Sequence, residues 1–425
     1  MKRFITLALA LCMVFGAALN ASAAEIKASG NMWVGYDYLN VDNEGKTTDF
    51  KQRFRTQIDI VASEALSGTV FFEINNTWGH AAGSAGLANI GNGSGGALGA
   101  DGVNIQTRRA YLDFLIPSTP VKVRAGIQGV ALPGAVSGNV VLNDDLGAIV
   151  ASASYSNVDF TAFYGRPYDA KDNGYDDSES SVDVYGLIAA LNFDTITVTP
   201  YFVAANVGED VNLPATLVAD KGLTGDTQWY GVALEATPIE NLVLSFDGVF
   251  GKASDDDGGF LVAGKAAYTT QYCVPAFMAW YGSGNDDDNE GRMPILDNGG
   301  DFVATTLVGE GAVGPMSDSV LGDARGKWGV ALEASEITFI DKVSHVARIA
   351  YVRGTNDDDA AGLDIENWSD DDSAVEIDFT TTYNMYDNLD LVADLAFAAT
   401  DFDNDNANEN VDHVFKAAIL AVYSF

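Results

Sequence analysis

Basic side chains are scarce in this chain, so their positions are informative. Among 425 residues there are 23 Lys and Arg against 60 Asp and Glu, a formal net charge of -37. Lys51, Arg53 and Arg55 occupy alternate positions, with Phe50, Phe54, Ile58 and Ile60 at intervening or flanking ones. Lys122 and Arg124 alternate with Val121, Val123, Ala125 and Ile127, and Arg109 stands against Ala110, Leu112, Phe114 and Ile116. On a strand, successive side chains take opposite faces. Each set therefore shows cations on one side and apolar groups on the other. A ladder of cations bordering water orients dipolar solutes and biases ion passage. Like charges this close repel, so acids beside them would turn the same cluster into a structural one.

The segment 129–146 reads GVALPGAVSGNVVLNDDL, small and apolar except at Asp144 and Asp145. Such a segment gains nothing in water. Folded inward it would be buried, and it would set Asp144 and Asp145 opposite Lys51, Arg53, Arg55, Arg109, Lys122 and Arg124 across a constriction. The blander reading packs it on a neighbouring subunit.

Asp401, Asp403, Asp405, Glu409 and Asp412 stand at positions 1, 3, 5, 9 and 12 of a calcium-loop spacing. Asn406 replaces the usual Gly and Asp412 the usual Glu. A solvated acidic loop is the simpler reading, and no cofactor is expected beyond loosely bound Ca2+. The three histidines, His80, His345 and His413, have no partner at ligand spacing. No Gly-x-Ser-x-Gly elbow occurs, and the glycines of 91–96 lack a strand-to-helix setting, so an enzyme is not expected. The acidity also excludes nucleic acid as a partner.

These residues need elements to hold them. Residues 1–24 read as a cleaved secretory signal: a basic start, an apolar run and small residues before Glu25. Cys12 leaves with it, and Cys273 alone cannot form an internal disulfide. From residue 25 to 425 the pattern is period two. Leu242, Leu244, Phe246, Gly248 and Phe250 alternate with Val243, Ser245, Asp247 and Val249, and similar runs surround Tyr230, Val375 and Leu389. Tight connections at 63–67, 117–120, 156–157, 193–195, 237–241 and 386–388 alternate with long acidic ones at 40–49, 79–102, 167–180, 207–226, 283–324, 355–372 and 401–410. In an up-and-down sheet, alternate connections lie at opposite ends. The pattern predicts a single all-β domain: an antiparallel transmembrane β-barrel with short periplasmic turns and long extracellular loops. Eighteen strands are expected, with sixteen as the alternative. A barrel so wide leaves an aqueous channel. The last strand carries His413, Phe415, Ala417, Ile419, Ala421, Tyr423 and Phe425 on one face, and Tyr423 with Phe425 forms a candidate barrel-assembly signal.

Residues 107–114 (TRRAYLDF), 121–128 (VKVRAGIQ), 279–288 (AWYGSGNDDD) and 292–294 (RMP) resemble the homotrimeric outer-membrane porins of sulfate-reducing, Desulfovibrio-type bacteria. The resemblance spans the chain after the signal segment. It implies a trimer of water-filled barrels for passive diffusion of ions and small hydrophilic solutes, inserted by the barrel-assembly machinery among lipid and lipopolysaccharide. It also implies pore-lining roles for the six cations and a constriction role for Asp144 and Asp145. The apolar stretch 269–275, with Cys273, departs from a plain tight turn and leaves the register there open. The second functional reading is a non-conducting surface barrel acting through its acidic loops. A pore-facing basic wall favours the channel, and the acidic loops lean it toward cations.

Overall fold

The structure is a computed structural model that describes residues 24–79, 96, 105–169, 181–208, 222–223, 225–254, 257–297, 302–309, 320–402 and 411–425. Residues 1–23 of the expected 1–24 leader lie outside the described residues, as do His80, Asp403, Asp405 and Glu409.

Eighteen antiparallel strands form one sheet. The first six are β1 (Glu25–Val41), β2 (Gly45–Ser63), β3 (Leu66–Thr77), β4 (Gln106–Leu115), β5 (Lys122–Ala131) and β6 (Asn143–Tyr155). Next come β7 (Val158–Asp169), β8 (Ser181–Asn192), β9 (Ile196–Val207), β10 (Thr227–Ile239), β11 (Leu242–Ala253) and β12 (Gly259–Tyr268). The last are β13 (Val274–Gly282), β14 (Lys327–Ile340), β15 (Val343–Gly354), β16 (Ser373–Tyr386), β17 (Leu389–Asp401) and β18 (His413–Ser424). Each strand pairs with its sequence neighbours, and β1 pairs with both β2 and β18. The sheet therefore closes with no free edge. Closure is what lets strands satisfy their backbone in lipid, where no water can do so.

The alternation places the faces. On β11, Phe246 and Phe250 are 42% and 41% exposed and point outward, while Asp247 and Val249 are 7% and 6% exposed and point inward. The closing strand behaves alike, with Ile419 outward and Val414 and Leu420 buried. Gly30 and Phe425 exchange two backbone hydrogen bonds of 2.9 and 3.0 Å at the seam. The Phe425 ring stacks on Phe54 and Tyr423, both at 5.8 Å. A Cβ at Gly30 would lie 2.1 Å from the Arg55 carbonyl, so the seam requires glycine.

Two connections differ from the sequence reading. The stretch 40–49, expected as a long loop, is mostly strand: β1 reaches Val41 and β2 starts at Gly45. Asn43, at φ 58°, makes the turn in the left-handed region that Asn tolerates. Its polar residues can extend the hairpin because β18 still pairs with it as far as Val41↔Val414. Conversely, 283–324 concentrates its acids at its start and carries apolar strings further on. Met293, Ile295, Phe302, Leu307 and Val308 are fully buried, so its apolar part packs inside.

Candidate functional site

The cations sit where the alternation put them, but they have acidic neighbours. Lys51 lies 3.4 Å from Asp37 and 3.9 Å from Asp49. Arg55 donates to Glu73 at 2.5 Å. Arg124 makes two parallel bonds to Asp113, of 2.8 and 2.9 Å, and lies 4.3 Å above the Tyr111 ring. Lys122 is 3.4 Å from the same carboxylate. The cross-strand register explains this, since Arg55 lies opposite Glu73 and Arg124 opposite Asp113. Arg53 stands apart. It stacks on Trp33 at 5.0 Å and has no carboxylate partner among the described residues; its Nε is buried without an acceptor.

Arg109 donates to Asp145 at 2.5 Å, and Arg108 donates to Asp145 at 2.7 Å and to Glu73 at 3.2 Å. Strict alternation would turn Arg108 to lipid, and sequence reasoning missed it. A register shift decides its place: Phe71 opposes Arg109, but Phe72 opposes Thr107. Arg108 is the extra residue of a bulge, which re-aims a side chain.

Asp144 and Asp145 were expected across an eyelet from these cations. Both are instead on β6, which starts at Asn143, and 129–131 still belong to β5. Asp145 is an immediate ion-pair partner of Arg108 and Arg109, and Asp144 is exposed, accepting from the Asp145 amide at 2.6 Å. The connection proper is 132–142.

That connection meets the far wall. The amides of Ala135 and Val136 donate to the Asp247 carboxylate of β11 at 2.8 and 2.7 Å. Asn139 donates to the Tyr201 hydroxyl of β9 at 2.7 Å. A second inward piece, 302–309, is tied to β16: Thr305 Oγ1 and the Leu307 amide donate to Glu376 at 2.6 and 2.8 Å. Ser137 and Val303 exchange bonds of 2.5 and 3.1 Å, joining the two pieces. Trp229 of β10 donates to the Pro294 carbonyl at 2.6 Å. Apolar residues of these segments share one buried cluster with inward residues of β6–β11, among them Phe163, Val184, Val203 and Trp229, and with small and apolar residues of later strands such as Leu261, Ala350 and Ala398.

Elsewhere the inner wall is ionic. Arg348 of β15 donates to Glu333 at 2.6 Å and to Asp378 at 3.4 Å, Lys265 of β12 lies 3.4 Å from Glu333, and Thr380 donates to Asp394 at 2.6 Å. With Glu376, Asp37 and the cations of β2–β5, charge runs along much of the arc from β12 through β18 and β1 to β5.

No protein-family model matches the chain, and no curated protein matches it in sequence. Solved structures match in shape. OccK2 (OpdF) of Pseudomonas aeruginosa, in complex with glucuronate, is similar over 94% of this chain and 98% of its own, at 11% identity and a TM-score of 0.60. OpdL of Pseudomonas aeruginosa covers 94% and 99%, at 11% identity and 0.59. OccAB2 of Acinetobacter baumannii covers 94% and 98%, at 12% identity and 0.59. The chain has the fold of the Occ barrels.

Other candidate groups in this Occ-like barrel are less organised. In the calcium-like stretch only Asp401 and Asp412 lie within the described residues. Asp357, Asp358 and Asp359 bring three carboxylates within 4.8 Å of one another, all exposed. His345 shares a 2.9 Å hydrogen bond with Thr381, and His413 lies 3.6 Å from Asp42. At the base of the β13–β14 connection, burial would raise the Asp323 carboxyl, but Arg325 and Arg292 outweigh it and hold it well below the usual carboxylate range. Arg325 reaches Asp323 at 2.8 Å and Arg292 at 3.7 Å.

Proposed function

We propose that the chain is an outer-membrane porin, a channel for passive diffusion of ions and small hydrophilic solutes. One observation carries this reading: charged side chains on the inner wall are wet. Lys122, Arg109 and Arg124 keep 47%, 36% and 35% of their side-chain surface exposed although they point into a closed barrel. Water must reach the cations of β4 and β5, whereas segment 132–142 packs against β9 and β11 and segment 302–309 against β16. The same pieces set the constriction in this reading.

The structural neighbours are OccK/Opd outer-membrane porins, which supports the channel class. Arg53, without a carboxylate of its own, is the ladder cation best placed to meet an anionic solute group; glucuronate, the ligand in the OccK2 complex, carries such a group. The finer likeness to Desulfovibrio-type porins, assembly as a homotrimer, cleavage of the leader, insertion by the barrel-assembly machinery, contact with lipopolysaccharide and residence in a Gram-negative outer membrane all belong to this proposal.

The test is single-channel conductance of refolded protein in a planar bilayer under a salt gradient. Steady steps in groups of three are expected, and the reversal potential reports which charges govern passage. A heat-modifiable, inserted barrel that never conducts would sink the reading and favour a surface-structural role.

A further inference from the structure

The upper ends of β5 and β6 leave the wall as a pair. They stay together as far as Ala131↔Asn143. On one side β4 parts from β5 above Ala110↔Ile127, and on the other β7 parts from β6 above Gly147↔Arg166. The break beside β4 is closed by charge, because Arg108 and Arg109 reach Asp145 across it. The break beside β7 has no matching closure among the described residues. There β7 follows β8 instead, with a register shift between Gly165 and Tyr168. Pro167 stands in that shift and has no N–H to offer β6.

A cavity of about 430 Å³ occupies this second break. Its lining comes from both faces of the sheet. Ile127, Gly147 and Arg166 form one outward row across β5, β6 and β7. Leu146, Val182 and Val184 belong to the buried inner face. A space bounded from both faces spans the wall at this break, and Leu142, Leu223 and Leu296 line its inner end. Its volume falls in the range of about 300–1,000 Å³ typical of small-molecule sites.

We propose that this break is a lateral port, through which the apolar tail of a single-chain amphiphile moves between the outer leaflet and the barrel interior. The inner lining is aliphatic and suits a tail. The polar part of the lining favours a cationic head. Arg166 is already held by Asp183 at 2.7 and 2.9 Å and by Asp169 at 3.3 Å, and the lining adds the carboxylates of Asp144 and Asp297. A long-chain amine therefore fits better than a fatty acid of the same length. The port rests on the chain being an outer-membrane barrel, and not on its conducting.

The test uses the refolded full barrel in phospholipid nanodiscs, with dansyl-labelled dodecylamine as the probe and empty nanodiscs to define simple partition. The native chain is expected to add a saturable fluorescence increase. Gly147→Phe should abolish that component, because a Cβ there meets no atom within 4 Å and the ring can fill the mouth without disturbing the wall. Asp144→Asn should weaken the amine severalfold while leaving a dansylated dodecanol unaffected. No saturable signal above empty discs, or one that survives Gly147→Phe, overturns the port. Conductance of the same refolded protein is read in a planar bilayer. A native chain that binds the amine but never conducts would remove the porin reading and keep the port.

Discussion

The two sides of the barrel interior solve opposite problems. From β6 to β11 the inward residues are largely apolar, and segments of the chain itself cover them. From β12 round to β5 many inward residues are charged, and the cations are met mostly by acids on neighbouring strands. An apolar segment laid over such a wall would strip water from charges at a cost its own burial could not offset. Segment 132–142 packs where the wall is apolar; segment 302–309 reaches β16 only by giving Thr305 Oγ1 and the Leu307 amide to Glu376, and the cations of β2–β5 are left to water. In the channel reading, the pore lies along the cations of β2–β5, which the inward segments leave uncovered.

The largest test of this contrast is Asp247→Ala. Asp247 is the buried carboxylate of the apolar side and takes the amides of Ala135 and Val136. Its loss leaves one buried and one part-buried donor unpaired, at up to about 1–3 kcal/mol each. Segment 132–142 should detach and unitary conductance should rise, with noisier open levels, while the barrel stays heat-modifiable. Unchanged conductance would mean that this segment does not set the aperture. On the charged side the expected outcome is different in kind. Glu73→Gln removes the acid shared by Arg55 and Arg108 and leaves both cations in the lumen. The reversal potential should shift toward anions severalfold in permeability ratio, with little change in conductance. Arg53→Gln should shift it the other way by less. It should cost stability only about 0.5–2 kcal/mol, the scale of the cation–π contact with Trp33, because Arg53→Gln breaks no ion pair. A matching shift from both variants would show that the wall acts only through its total charge and not through its unpaired member.

The barrel was legible because its signals are local. Alternation at Leu244, Phe246 and Phe250 fixes the outward face, and the alternation of tight and long connections fixes the two ends. Eighteen strands followed from the same count, and the 269–275 stretch closes as a tight turn in which Thr270 accepts from the Cys273 amide at 3.1 Å. The site was legible by half. The face of Lys51, Arg55, Lys122 and Arg124 could be read from parity, but their partners Asp37, Glu73 and Asp113 are 14, 18 and 11 residues distant, and only the register joins them. Arg108 was hidden by a bulge that no residue type announces. In 283–324 the acidic opening masked the apolar RMPIL and FVATTLV strings, which could have been read as a second inward piece.

The smallest expected effect lies where charges are not part of the wall. Asp323 is caged by Arg325 and Arg292, and Arg325 also donates to the Met293 carbonyl at 3.1 Å, tying the cluster to the inward segment. A carboxyl held below its ordinary value contributes stability above its unfolded pKa, about 3.9, and loses it as pH falls toward the folded value. Acidification below pH ~4 should therefore loosen the base of the β13–β14 connection while the strands persist. Limited proteolysis of the refolded barrel would read this as cleavage that appears only at acid pH. Asp323→Asn should be cleaved already at neutral pH and show no further acid step, with conductance steps still present. Cleavage with the same acid onset in both proteins would place the sensitivity elsewhere, and would remove this cluster from the devices that hold the apolar side of the interior covered.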